Sequence, residues 1–215
     1  MMKEKRKGLL VRGTAWLALF IAWTALIQVV DVQEIGPGGS RVGFAALNGW
    51  FHGVTGVHWL LYYITDWLGL VPVFICLLFG AMGCRQLITR RSLIKVDTDI
   101  IFLGVYYVIV IAGYLLFEMI PINYRPVLVD GRLEASYPSS TTLLVLSVMP
   151  TLAFQAERRW KNDAGRRIVC VFAAAFSVFM VIGRLISGVH WLTDIAGSVL
   201  LSRGLFCVYQ AAAQR

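Results

Sequence analysis

Six apolar runs limit what this chain can fold into. They cover about 13–30, 57–83, 100–117, 141–154, 168–186 and 191–209. Crossing the roughly 30 Å core of a bilayer takes about 20 helical residues, and in lipid each backbone N–H and C=O must find its partner within the spanning element. The runs therefore predict an all-α bundle of six transmembrane helices. The 141–154 run is short by itself and becomes adequate with Ser139 and Ser140 at its start. Composition agrees: 58% of residues are hydrophobic and 15% charged, with a mean hydropathy of +0.71, outside the range of soluble domains. No stretch is left over for a separate soluble domain, so residues 1–215 read as one membrane domain.

The basic start, Lys3 to Lys7 and Arg12, resembles the charged region of a signal peptide. The run after it is long enough to span, and Val29-Val30-Asp31-Val32 is no small-residue cleavage site, which favours a first transmembrane helix. Residues 35–40 (Ile-Gly-Pro-Gly-Gly-Ser) break the chain, and 44–52 reads as a short amphipathic helix lying in the interface. Trp59, Tyr62, Tyr63 and Trp67 mark the outer boundary of the second span, while Asp66 inside it requires a partner or water.

Sixteen of the twenty Lys and Arg residues fall at the N-terminus, in loops 84–98 and 157–167, and in the C-terminal region. Arg41, Arg125, Arg132 and Arg184 fall on the other side. By the positive-inside rule both termini are cytoplasmic, and the 118–138 connection faces outward together with the 184–190 turn. The net charge of +8 then reports topology in a cell (inner) membrane, and no nucleic-acid partner is expected. Cys76, Cys84, Cys170 and Cys207 lie in or beside apolar runs without metal-type spacing and read as small buried side chains.

Ionisable residues converge on that outward side. Arg184, His190 and Asp194 stand where two apolar runs meet. With Trp191 onward helical, His190 and Asp194 would share a face, the carboxylate holding one imidazole nitrogen protonated and leaving the other basic. The plainer reading is a helix-end histidine snorkelling beside an arginine. Upstream, Asn123-Tyr124-Arg125-Pro126 follows the third span, and Tyr137-Pro138-Ser139-Ser140-Thr141 opens the fourth. A Pro-Ser helix start is an ordinary N-cap, and its free N–H groups are also a phosphate cradle.

Taken in this order, the three stretches resemble the type 2 phosphatidic acid phosphatase (PAP2) family, whose signature runs Lys-x6-Arg-Pro, Pro-Ser-Gly-His and Ser-Arg-x5-His-x3-Asp. The motifs cover 118–194, and the six-span layout extends the likeness to the whole chain. The resemblance implies a metal-independent lipid phosphatase that needs no cofactor. Arg125 and Arg184 would bind phosphoryl oxygens, and Ser139, Ser140 and Thr141 would complete the cradle at the helix start. His190 would be the nucleophile, forming a phosphohistidine, with Asp194 orienting it. The expected partners are a phospholipid or isoprenoid phosphate and the bilayer itself.

Three positions depart from the signature. Glu118 stands at the lysine, Ser140-Thr141 at Gly-His, and Gly183 at the serine. The family's second-motif histidine protonates the leaving group, which threonine cannot do near neutral pH. Expelling an alkoxide from a monoester gains about 10²–10⁴-fold from a placed acid. Expelling a phosphate monoester from a diphosphate needs none, because its second pKa is roughly 6. The loss therefore favours a (poly)prenyl diphosphate, hydrolysed at the outer face. Glu118 would be either a substitute acid or a salt-bridge partner of Arg125. His52 and His58 read as interfacial side chains. A non-catalytic lipid-phosphate binder or transporter, and a lipid phosphotransferase, are the alternatives.

Overall fold

The computed structural model describes residues 2–214. Among the described residues eight α-helices follow in order: α1 (Met2–Val29), α2 (Ala45–Thr55), α3 (Trp59–Leu68), α4 (Leu70–Arg90), α5 (Thr98–Met119), α6 (Ser140–Arg159), α7 (Asp163–Ile186) and α8 (Leu192–Ala213). The fold is all-α. Among the described residues five stretches are long and apolar enough to cross a membrane: 3–29, 59–90, 98–119, 163–186 and 192–213. Leu77, Ile88 and Val108 on these stretches are exposed, as side chains facing lipid would be. The chain is a multi-pass membrane protein.

The helix over the expected fourth span, α6, is not one of the five. Its polar residues Thr142, Ser147, Thr151 and Gln155 lower its hydropathy, yet all four are buried. Tyr107 Oη and Thr151 Oγ1 share a hydrogen bond of 2.7 Å, and Gln155 Nε2 donates to Tyr209 Oη at 2.8 Å. Polar groups on a central helix are satisfied by neighbouring helices instead of facing lipid. Packing against both α7 and α8 puts α6 inside the bundle.

The expected single second span is broken into α3 and α4 at Gly69, whose N–H bonds back to the Thr65 and Asp66 carbonyls. Glycine followed closely by Pro72 accounts for the break, since both weaken helix continuity. It leaves Asp66 in the last turn of α3. The short helix expected over 44–52 is present as α2, but it does more than lie in an interface. Its buried Asn48 donates to Thr193 Oγ1 at 3.0 Å and clasps the start of α8. Arg203, grouped above with the C-terminal basic residues, is exposed midway along α8.

Apolar association gains little in lipid, so helices there hold together by close packing and hydrogen bonds. The α1–α8 pair shows how. A Cβ on Gly13 would come within 2.8 Å of Val208, and one on Gly204 within 2.8 Å of Leu17. Only glycine lets these two backbones approach so closely. Trp23 on α1 donates its Nε1–H to the Thr193 carbonyl at 3.1 Å, anchoring the end of α8 that borders the site.

Candidate active site

His190 lies in the turn between α7 and α8, and neighbouring backbone builds that turn. Gly188 has φ of 71°, and a Cβ there would overlap the Gly56 carbonyl. The linker between α2 and α3 thus lies flush against it. His58 N–H donates to the Ser187 carbonyl at 3.0 Å, and His52 Nε2–H to the Gly188 carbonyl at 3.1 Å. His52 therefore braces the turn.

Within this frame His190 is buried, with Nδ1 3.2 Å from the Ser136 carbonyl. A carbonyl only accepts, so Nδ1 carries the proton and Nε2 keeps its lone pair. Arg125 Nη1 and Arg184 Nη2 approach Nε2 at 3.5 and 3.4 Å. Burial first, then the Arg125 and Arg184 charges, hold the imidazole pKa well below its ordinary 6.5. A neutral imidazole whose free nitrogen faces two guanidinium groups has the chemistry to attack an anionic phosphorus.

The arginines are held but not saturated. Arg184 is 1% exposed, sits over the Tyr62 ring at 4.9 Å and has Asp66 Oδ1 3.6 Å from Nη1. Its Nε and Nη1 nonetheless make no hydrogen bond among the described residues. Arg125 Nε is 3.1 Å from Glu134 Oε2, near enough for an ion pair, although its N–H does not point at that oxygen. Buried donors without acceptors are costly, and these unspent N–H groups have the geometry and charge that suit oxyanions.

Several expected roles sit differently. Asp194 is 3.8 Å from His190 Nδ1. Its carboxylate instead accepts from the Trp191 N–H at 2.9 Å and from Asn123 Nδ2 at 3.3 Å, capping α8 and tying it to the 118–138 connection. The Ser136 carbonyl makes the closer contact, because His190 precedes α8 and its ring leans toward the 118–138 connection. Ser139 is fully buried, and its Oγ donates to Thr142 Oγ1 at 3.1 Å, capping no backbone amide. Ser140 faces the cleft, whereas Thr141 lines a separate apolar groove beside Asp66 and Tyr114.

The cleft over His190 measures about 480 Å³, and its charged lining consists of Arg125, Arg132, Glu118 and Glu134. Arg125 pairs with Glu134, not with Glu118. Glu118, on α5, lines the cleft without an ion pair among the described residues. Glu134, Ser136 and Tyr62 were not singled out from sequence as site residues. Ser136 acts through its backbone, which no residue pattern reports, and Glu134 sits in a polar connection with no periodicity.

Comparison with known proteins bears on the family resemblance. Residues 119–215 match the PAP2 superfamily. The likeness read from the motifs is thereby shown. The PAP2 match takes in Arg125, the 137–141 stretch and the Arg184–Asp194 segment. Over the whole chain the fold is similar to a crystal structure described as the first transmembrane PAP2 type phosphatidylglycerolphosphate phosphatase from Bacillus subtilis. The TM-score is 0.66 at 16% identity, covering 93% of this chain and 94% of that one. No curated protein sequence matches.

Proposed function

We propose that this protein is a membrane lipid phosphatase that removes the terminal phosphate of a (poly)prenyl diphosphate at the outer face, through a phosphohistidine. The supporting observation is the neutral imidazole with Nε2 between two guanidinium groups that keep unspent donors. Phosphoryl transfer asks mainly for positioning and charge stabilisation, which this arrangement supplies.

In the reaction, Nε2 of His190 attacks the terminal phosphorus while the bond to the bridging oxygen breaks. Its electron pair stays on that oxygen, which leaves as part of a lipid monophosphate. Arg125 and Arg184 hold the oxygens of the transferred group. Water then attacks the phosphohistidine, releasing inorganic phosphate and restoring His190. The Ser136 carbonyl keeps the Nδ1 proton in place through both steps, stabilising the cationic ring of the intermediate.

The neighbouring groove suits the lipid part. It holds about 470 Å³ between α4, α5 and α6 and is lined by Leu70, Val73, Val110, Ile111 and Leu144. Tyr114 and Ser140 border both it and the polar cleft, so a chain in the groove would present its phosphate end to His190. Thr141, at the position of the family's acid, lines the groove and not the polar cleft, which favours a leaving group that needs no proton.

The test is phosphate release by detergent-purified protein with chelator present, on an isoprenoid diphosphate, phosphatidic acid and phosphatidylglycerolphosphate. We expect the diphosphate to turn over fastest and His190→Ala to lose at least about 10³-fold. Faster turnover of either monoester would sink the diphosphate assignment. Undiminished release by His190→Ala would sink the nucleophile.

A further inference from the structure

One arginine in the cleft has no part in the reaction as written above. Arg132 lines the same cleft as Arg125, Ser140 and His190, and among the described residues it makes no ion pair. Its backbone is not on a free loop. Residues 123–136 form a ribbon in which Ser136 N–H donates to the Asn123 carbonyl at 2.9 Å and Arg125 N–H to the Glu134 carbonyl at 3.0 Å. Arg132 N–H and the Val129 carbonyl meet at 2.9 Å, with the reciprocal bond at 3.1 Å. Asp130 and Gly131 close the ribbon with φ of 49° and 73°, the two positive values of a tight type I′ loop, which Asp-Gly suits. Val129 is buried with Tyr62 and Val189, pinning the ribbon tip to α3 and to the turn that carries His190.

The charges in the cleft can be divided by task. Arg125 and Arg184 both face His190 Nε2, so both serve the phosphoryl group under attack. The PAP2 signature has a further cation at the position where this chain has Glu118. Arg132 returns that positive charge to the cleft from a different segment, the ribbon. It stands with two carboxylates, Glu118 and Glu134, of which Glu134 is already paired with Arg125.

Resting on the diphosphatase reading, we propose that Arg132 is a specificity-determining residue that binds the phosphate remaining on the lipid. When the terminal P–O bond breaks, the electron pair left on the bridging oxygen adds one negative charge to that phosphate. A guanidinium beside it stabilises the charge as it forms. A lipid monophosphate has no such group, because its leaving oxygen belongs to the lipid alcohol. Charge neutralisation by Arg132 thus takes the place of the proton that Thr141 cannot supply, and it does so for diphosphates only.

The experiment compares the full-length protein with Arg132→Ala and Arg132→Lys on farnesyl diphosphate and farnesyl monophosphate. It also measures binding of the non-hydrolysable methylene diphosphonate analogue by calorimetry. Arg132→Ala should lose about 10²-fold in kcat/KM on the diphosphate, stay within about twofold on the monophosphate, and bind the analogue about tenfold more weakly. Arg132→Lys should recover part of each loss. Equal losses on both substrates, or unchanged analogue affinity, would overturn the assignment. A wild-type protein that hydrolyses neither lipid, yet binds the analogue in an Arg132-dependent way, would refute the phosphatase and leave the diphosphate site standing.

Discussion

Two clusters of arginine and carboxylate sit at opposite ends of the bundle, and they differ in one respect. At the end away from the cleft, Arg159 donates to Asp97 at 3.0 Å and to both oxygens of Asp99 at 2.9 and 2.8 Å, while Arg90 meets Asp97 at 2.7 Å. These contacts fasten α4, α5 and α6 together with aligned hydrogen bonds. At the His190 end, Arg184 has its nearest carboxylate at 3.6 Å and two nitrogens without any bond, although it is almost fully buried. The first cluster is electrostatically complete. The second keeps buried donors without acceptors, and that separates a staple from a candidate binding site built of the same residue types.

Removing one arginine from each cluster should have opposite consequences. Arg184→Gln should lower kcat/KM by about 10³-fold with the fold retained, read from phosphate release and thermal unfolding. Arg159→Gln should leave turnover within about twofold and lower the unfolding temperature instead, because it removes aligned bonds and no site donor. Were the two results exchanged, the division between staple and site would fall. Next in size is Tyr62→Leu, which takes away the ring beneath Arg184. A cation–π contact in a desolvated site is worth about 2 kcal/mol. KM should therefore rise by roughly tenfold or somewhat more, with kcat less affected.

Acid separates the clusters as well. Hydrogen bonds from Arg90, then Arg159, hold the Asp97 pKa down from 3.8 to about 2. A depressed carboxylate contributes stability that is fully present above its unfolded pKa and lost as pH falls through the folded one. Unfolding temperature should therefore drop between pH 4 and 2, and Asp97→Asn should flatten that drop. The His190 pKa is lowered too, so its neutral form favours folding above the ordinary 6.5, an advantage that declines as pH falls below it. Its neutral form accordingly persists below that pH, and kcat/KM should show no inflection assigned to His190 near 6.5. An imidazole NMR signal titrating there would contradict the buried, arginine-flanked geometry.

The smallest expected effect concerns Glu134, whose carboxylate competes for Arg125. Glu134→Gln should tighten competitive inhibition by inorganic phosphate about threefold, an exposed ion pair being worth less than 1 kcal/mol. Weaker inhibition would mean that Glu134 prepares Arg125 instead of competing for it.

Much of the fold was legible because its signals are local. Apolar runs announced α1, α5, α7 and α8 to within a few residues at the ends that border the cleft, and Gly-Pro punctuation announced the break before α2. The break at Gly69 was hidden inside a continuous apolar run. The extent of α6 was hidden for the opposite reason: its buried polar residues look like a poor span until Tyr107 and Tyr209 are seen beside them. Within the site, Arg125, Arg184 and His190 were named from their motifs and do converge. The helical rule brings Asp194 to 3.8 Å from His190, while the Ser136 carbonyl is nearer at 3.2 Å because the histidine lies two residues before the helix. Asp194, placed by the same motif, instead caps the helix behind the histidine.

Sequence alone determined that this is a helical membrane protein resembling the PAP2 family, with arginine and histidine motifs at the ends of its apolar runs. Lipid imposes that outcome locally, since every backbone group must be bonded within its own helix and about 20 apolar residues suffice. Tertiary structure decided which carboxylate each arginine meets, which oxygen holds the imidazole and which donors stay free. Those choices depend on contacts such as Arg125 with His190, 65 residues apart, and a hydrogen bond is made or lost over less than 1 Å.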